Sequence, residues 1–353
     1  MKKSLFDSRS PVRIFAFSTI ATLAALVGVA LGKGTAGVLI ALVLIAVEVS
    51  FSFDNAILNA KVLDKMSRLW QTLFLTVGAL IAVFGMRIVF PIVIVAITAG
   101  IGWQEVMDLA LHHPHEYAEK LHLAHPVLSS FGGAFLLVLA LGFFADDNQN
   151  VEWFTRPERL FKRVTRGWVP ALLALLVVTV VSVLPANHHG KQTFIAGVLG
   201  IVVYSVIHGL THLLGKLEER NMEQKSAAAK RTGIAAFISF IYLEVLDATF
   251  SFDGVLGAFA ITTDVVLIAI GLGVGALWVR SLTVFMVRRG TLGNYLYIEH
   301  GAHYTIGILA CILFVSLFVA VPEAITGLAG IGVIVASIIA SRQAMDAKHA
   351  AAK

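Results

Sequence analysis

The sequence predicts an all-α polytopic membrane protein of about ten transmembrane helices, with two inverted three-helix repeats. Three observations lead there. The chain is 58% hydrophobic and 14% charged, with mean hydropathy +0.85, whereas a soluble domain carries about 25% charged residues. Its basic residues are concentrated in alternate loops. One acidic segment occurs twice, as "VEVSFSFDNAIL" at 47–58 and "LDATFSFDGVLG" at 246–257.

Apolar runs place the spans at roughly 12–32, 35–60, 69–99, 127–145, 168–186, 193–214, 233–261, 264–287, 303–320 and 322–341, within one transmembrane domain over 1–353. Lys2 and Lys3 ahead of the first run also suit a cleaved signal peptide, but a retained helix preserves the parity of the loops. Of the 27 Lys and Arg residues, 22 sit at the two ends or in even-numbered loops, and only Lys33, Lys120 and Lys191 occupy odd ones. This bias places both termini in the cytoplasm of a multi-pass cell-membrane protein. The net charge of +5 therefore reads as a topology signal, and nucleic acid is not an expected partner. The lone Cys311 excludes a disulfide framework and a cysteine-built metal site.

Aligned without gaps, the two acidic segments match Glu48 with Asp247, Ser50 with Thr249, Ser52 with Ser251, Asp54 with Asp253 and Asn55 with Gly254. They fall in the second and seventh predicted spans, so five crossings separate them and their helices run in opposite directions. The likeness continues: "GALIAVFGMR" at 78–87 resembles "GLGVGALWVR" at 271–280, each ending in an intramembrane arginine, and 131–144 corresponds loosely to 304–318. The first repeat unit is thus 35–145 and the second, inverted unit 233–320. Repeats of this kind recur in secondary transporters, with the site at their interface near the midplane.

A carboxylate inside the bilayer costs about 2.5–3.5 kcal/mol on insertion scales, so it marks a site by default. Glu48, Asp54, Asn55, Asp247 and Asp253 are the candidate metal ligands, with Ser50, Ser52, Thr249, Ser251 and Glu244 in support. Glu244 lies one turn before Asp247 but aligns with Ile45, which makes it accessory. Six residues turn a helix through about 600°, so a straight helix cannot aim both acids of one copy at one ion. A break at Asn55 or Gly254 would allow it and free backbone carbonyls. Such an all-oxygen set suits Mn²⁺, Ca²⁺ or Mg²⁺. Arg87 and Arg280 would balance the charge of the empty site. The dull alternative is that they staple the acids permanently as structural ion pairs.

The run "EVSFSFDN", followed by a helix with a membrane arginine, resembles the TerC integral-membrane family, which groups with LysE-type transporters built from inverted three-helix repeats. The resemblance covers both repeat units, and the matching positions are Glu48, Asp54, Asn55, Asp247 and Asp253. It implies metal-ion efflux, most often of Mn²⁺, and an association with tellurite resistance. The chain departs from the pattern at Asp247, where the family prefers Glu, and at Gly254, where it prefers Asn.

The expected function is therefore a secondary transporter exporting a divalent cation, Mn²⁺ foremost, with the lipid bilayer, the ion and coupling protons as partners and a homo-oligomer compatible. The alternatives are export of a small cationic solute, or a non-transporting membrane scaffold or assembly factor. Absence of a zinc-type HExxH or nucleophile motif argues against an enzyme. The stretch 100–126, with His112, His113, His115, His122 and His125, reads first as an interfacial amphipathic helix carrying Trp103 and Tyr117 at headgroup level, and second as a metal-collecting mouth. His208 and His212 share a helix face, and "ADDNQN" at 145–150 reads as a solvated helix end.

Overall fold

The computed structural model describes residues 10–146, 151–164, 167–221, 231–290 and 295–351, all helical apart from turns and one isolated β-bridge. Among these residues, eight helices are long and apolar enough to cross a membrane, and Val169–Val183 is a shorter apolar helix. The chain divides into two compact units, one of residues 1–124 and 214–290, the other of 125–213 and 291–353.

The first unit opens with α1, Pro11–Phe51, whose 41 residues include a non-helical Gly34 at φ 70°, ψ −167°. The helix is in fact a hairpin. On the way in, Ser18 donates to the Leu277 carbonyl at 3.0 Å, Thr22 accepts from the Trp278 indole at 2.9 Å, and Lys33 pairs with Asp264 at 2.5 Å. On the way out, Ala41 joins Val29 and Leu267 in one cluster, Leu44 lies against Gly271 and Glu48 against Gly275. Val29 and Ala41 would stand about 18 Å apart on a straight helix. The predicted boundary between spans at 32 and 35 thus falls on a reversal, which only glycine makes without strain.

After α1 come α2, Phe53–Asp64, and α3, Arg68–Leu73. The third helix continues as π-helix over Phe74–Gly78 and Ile81–Val89 and then as α4, Phe90–Ala99, ending at left-handed Gly100. Helix α5 is Trp103–His112, and α6, Pro114–Phe144, leads out of this unit. In the second unit α7 is Thr155–Val164, α8 Val169–Val183 and α9 Gly190–Asn221. Returning to the first unit, α10 is Gly233–Ile261 and α11 Val265–Arg289. The second unit closes with α12, Ile298–Val315, and α13, Glu323–Ala351.

Three connections fix the direction of the first unit's helices. The turn after α2 bridges to the start of α10, with Ser67 N–H to Arg231 O at 3.0 Å and Arg231 N–H to Lys65 O at 2.8 Å. Asp264 caps α11 through the N–H groups of Val266 and Leu267, at 3.0 and 3.2 Å, while it holds Lys33. Helices α10 and α11 are joined by a three-residue turn and pair Asp247 with Arg280, so they are antiparallel. The second arm of α1 advances with α11, from Leu44 at Gly271 to Glu48 at Gly275. That arm therefore runs against α10. Core packing at the α2/α10 end comes from Ile14, Leu63, Met66, Phe74, Phe240, Leu243 and Val284. Outward side chains such as Phe17, Leu31 and Leu39 stay exposed, as lipid-facing positions do.

Within the second unit, α6 and α12 pack antiparallel through small residues. A Cβ on Gly133 would meet Leu313 and Phe314 at 3.3 Å, one on Gly307 would meet Ala140 at 3.6 Å, and Ser316 lies 3.3 Å from His125. Glu158 on α7 is buried: it accepts from the N–H groups of Trp153 and Phe154 and from the Tyr304 hydroxyl at 2.8 Å.

Gly34→Ala should lower stability by about 1–3 kcal/mol, the usual strain of a side chain in a glycine-only conformation. Gly28→Ala, in open space on the same helix, should be neutral or slightly stabilising; thermal unfolding in detergent compares the two. The Lys33–Asp264 pair predicts a pH effect. Partial burial raises the Asp264 carboxyl, but the hydrogen bonds from Lys33, Leu267 N–H and Val266 N–H outweigh it and hold it below its ordinary value. Its stabilisation is therefore present above the ordinary carboxylate range and lost as pH falls through the lowered pKa. Asp264→Asn, which still caps the helix, should cost about 0.2–1 kcal/mol at neutral pH and nothing in strong acid.

Candidate functional site

Helix α1 ends at Phe51, and α2 begins at Phe53 after a bend at Ser52, φ −95°, ψ 18°. The expected break was one turn later, at Asn55 or Gly254. Instead the first copy bends ahead of Asp54, and α10 passes through Gly254 without interruption. The ladder also survives the bend, with Ser52 N–H to Glu48 O at 3.0 Å and Ala56 N–H to Ser52 O at 3.1 Å. Ser52 thus keeps its helical partners on both sides, while the Asn55 N–H bonds Asp54 Oδ1. The expected hydroxyl ligands diverge as well. Ser52 donates to Glu48 Oε1 at 3.2 Å, Thr249 turns back on the Val245 carbonyl at 2.9 Å, Ser50 faces outward, and Ser251 is buried.

Each acid at the start of a motif meets the arginine of its own copy. Arg87 Nη2 holds Glu48 Oε1, while its Nη1 donates to the Ala82 carbonyl at 3.2 Å. Arg280 Nη2 reaches Glu244 Oε2 at 3.0 Å and Asp247 Oδ2 at 3.1 Å; its Nη1 donates to Glu244 Oε1 at 3.2 Å and to Phe74 O at 3.1 Å. The guanidinium also lies 4.3 Å over the Phe74 ring. All these charged groups are buried, with Arg87 at 4% and Arg280 at 2% exposure. The sequence places them by glycine. A Cβ on Gly275 would strike the Glu48 side chain, and one on Gly78 would strike Arg280 and Glu244. Arg87 lies in the π-helical stretch, where it reaches the carbonyl five residues back; π segments frequently accompany functional positions.

The two motifs meet each other at matched points. Asn55 Nδ2 donates to Asp247 Oδ1 at 2.8 Å, and Glu48 Oε2 lies 3.3 Å from where a Cβ on Gly254 would stand. Glu48 corresponds to Asp247 and Asn55 to Gly254, so these are one contact seen from either copy. In the second copy the amide is missing, and Glu48 Oε2 faces bare backbone. Asp54, 7% exposed, accepts from the Asn55 N–H at 2.8 Å and has no cationic partner among the described residues. Three buried oxygens near this crossing lack a hydrogen bond: Asn55 Oδ1, Ser251 Oγ and Asn59 Oδ1. Asn59 was not singled out from the sequence, although it follows Asn55 by one turn on the same face.

The side chain of Asp253 lies outside the described residues, as do that of His212 and residues 147–150. Among the described residues, no three His, Cys, Asp or Glu side chains gather as a metal-holding group. Glu244, expected as accessory, is the bidentate partner of Arg280. In the histidine-rich stretch, His112 pairs with Asp108 at 2.8 Å on an exposed face, and Trp103 is exposed. Tyr117, expected at headgroup level with Trp103, is covered by protein. It is 3% exposed and packs 6.0 Å from the Phe259 ring. His208 stacks on Tyr204.

A family model described as "Protein of unknown function (DUF475)" matches residues 53–347, most of the chain, and the chain belongs to that family. No curated protein and no solved structure matches it.

Gly275→Ala should displace Glu48, since the new Cβ would lie 2.5 Å from Glu48 Cβ and 2.6 Å from its Cγ. Overpacking of this kind costs about 1–3 kcal/mol. Thermal unfolding should show that loss, with Gly28→Ala as the control that meets nothing.

Proposed function

We propose that this member of the DUF475 family is a secondary transporter that exports a divalent metal cation, Mn²⁺ foremost, from a carboxylate site shared by two inverted repeats. One observation carries the reading: the reciprocal contact of Glu48 with Gly254 and of Asn55 with Asp247, between helices running in opposite directions. A two-fold relation between the copies produces such matched pairs, and the antiparallel packing of α6 on α12 repeats it in the second unit. Counting the α1 hairpin as two crossings and α8 as one supports ten spans. The joined turns 65–67 and 231 then lie on the cytoplasmic side, and Lys33 with Asp264 on the other.

The chemistry is that of a hard-cation site. Asp54, Asn55, Asn59 and Ser251 offer buried oxygen that is unpartnered or held only by the backbone. Protons are the proposed coupling ion, since carboxylates release metal when protonated. A second reading has its own observation. Glu48, Glu244 and Asp247 are each bound to arginine, as in a scaffold whose acids are staples.

Asp54→Asn and Asp253→Asn separate the two readings, because each removes a charge with little change of shape. In a transporter both variants insert and unfold normally but neither binds nor exports Mn²⁺, and the double variant is hardly worse than either single one. Calorimetric titration and efflux from proteoliposomes provide the readout. Wild-type export by either variant would remove the shared site, and a wild-type protein that neither binds nor exports Mn²⁺ would leave the scaffold.

A further inference from the structure

We infer that the two arginines have different tasks: Arg87 is the internal counter-ion that an arriving cation displaces from Glu48, and Arg280 is a fixed anchor for the opposite half. The inference rests on the cation-transport reading and assigns its unequal halves. Arg280 is held by two carboxylates, one of them through both oxygens, by a carbonyl from another helix and by an aromatic face. To leave, it would abandon all of them at once and strand two buried acids. Among the described residues, Arg87 has one carboxylate and one carbonyl, and the carbonyl belongs to its own helix. It can swing from Glu48 while the helix that carries it stays in place.

The surroundings of Glu48 favour such an exchange. Its Oε1 keeps the Ser52 hydroxyl at 3.2 Å after the arginine leaves. Its Oε2 faces Gly254, where the aligned position of the first copy carries the side chain of Asn55. The second copy fills its corresponding space: Asn55 donates to Asp247, and Glu244 stands where the first copy has Ile45. Two departures from exact repetition, Asn55 for Gly254 and Glu244 for Ile45, thus tighten the Arg280 half and leave the Arg87 half the more open. An occupied Glu48 reduces the fraction of protein competent to bind, and removing the occupant restores it.

Mn²⁺ titration of the purified full chain in detergent, alongside thermal unfolding, tests this. Arg87→Gln should bind Mn²⁺ about tenfold more tightly than wild type. Without the ion it should unfold at a lower temperature, because Glu48 is left unpaired, and added Mn²⁺ should reverse that loss. Arg87→Lys should return toward wild-type affinity by restoring the competing charge. Arg280→Gln should unfold at a markedly lower temperature without tighter binding. Unchanged or weaker binding by Arg87→Gln, or equal tightening by Arg280→Gln, overturns the inference while the transport reading stands. If Arg280→Gln does not fold, the Arg87→Gln and Arg87→Lys pair decides alone. Wild-type protein that binds no Mn²⁺ at any pH from 6 to 8 removes the transport reading, and this inference falls with it.

Discussion

Buried charge is the constraint on which the rest of the first unit depends. A guanidinium and a carboxylate taken out of water together lose several kcal/mol of hydration each, and recover it only with close geometry and satisfied hydrogen bonds. Helices α1, α10, α11 and the π-helical third helix are shaped to supply that geometry. Gly275 and Gly78 let backbone come close enough for Glu48 and Glu244 to reach their arginines. The π-helical register brings the Ala82 carbonyl to Arg87. The reversal at Gly34 returns the chain so that Glu48 runs beside α11 at all. Without these close approaches, the same acids would face hydrocarbon unpaired.

The two copies share this plan but not its details. Asp247 is one methylene shorter than Glu48, and its arginine recruits Glu244 in addition. A bidentate carboxylate is the geometry in which arginine forms its strongest pairs, so the second copy is the more rigidly clamped. The first copy has the simpler pair, the bend at Ser52 and the carboxylate of Asp54 supported only by its own turn. The copies thus differ most in how firmly each arginine is held, Arg280 by two carboxylates and Arg87 by one among the described residues.

Much of this was legible in the sequence, for physical reasons. Intramembrane Glu48, Asp247, Arg87 and Arg280 stand out because charge is rare in apolar runs, and the aligned copies already matched Glu48 with Asp247 and Arg87 with Arg280. The span boundary at Lys33–Gly34 was readable because a charge and a glycine interrupt an otherwise apolar stretch. Local conformation was less legible. Asn55 and Gly254 signalled a break because both tolerate one, yet tolerance does not compel it, and packing bends the chain at Ser52. The π-helical stretch has no sequence mark beyond Gly78 and Gly85. The amphipathic ring of Tyr117 suggested an exposed interfacial position, but its cover by Phe259, far away in sequence, had no mark in the local pattern. Glu244 was demoted for lacking a counterpart, and that absence proved informative: an acid present in one copy alone marks where the copies diverge.

Charge balance carries the last step. Among the described side chains of the first unit, four buried carboxylates, Glu48, Asp54, Glu244 and Asp247, stand against Arg87 and Arg280. Asp253, whose side chain lies outside the described residues, adds to this excess on the proposed reading, so the acids outnumber the arginines by at least the charge of one divalent cation or of two protons. A monovalent cation would leave a net charge in a low-dielectric interior, where it is strongly penalised. A divalent ion or a pair of protons brings the described group to neutrality, and either occupant makes the other unnecessary. Exchange of one for the other would move no net charge across the membrane. On the proposed reading, coupling to protons then needs no separate device. It follows from a site whose carboxylates outnumber its arginines.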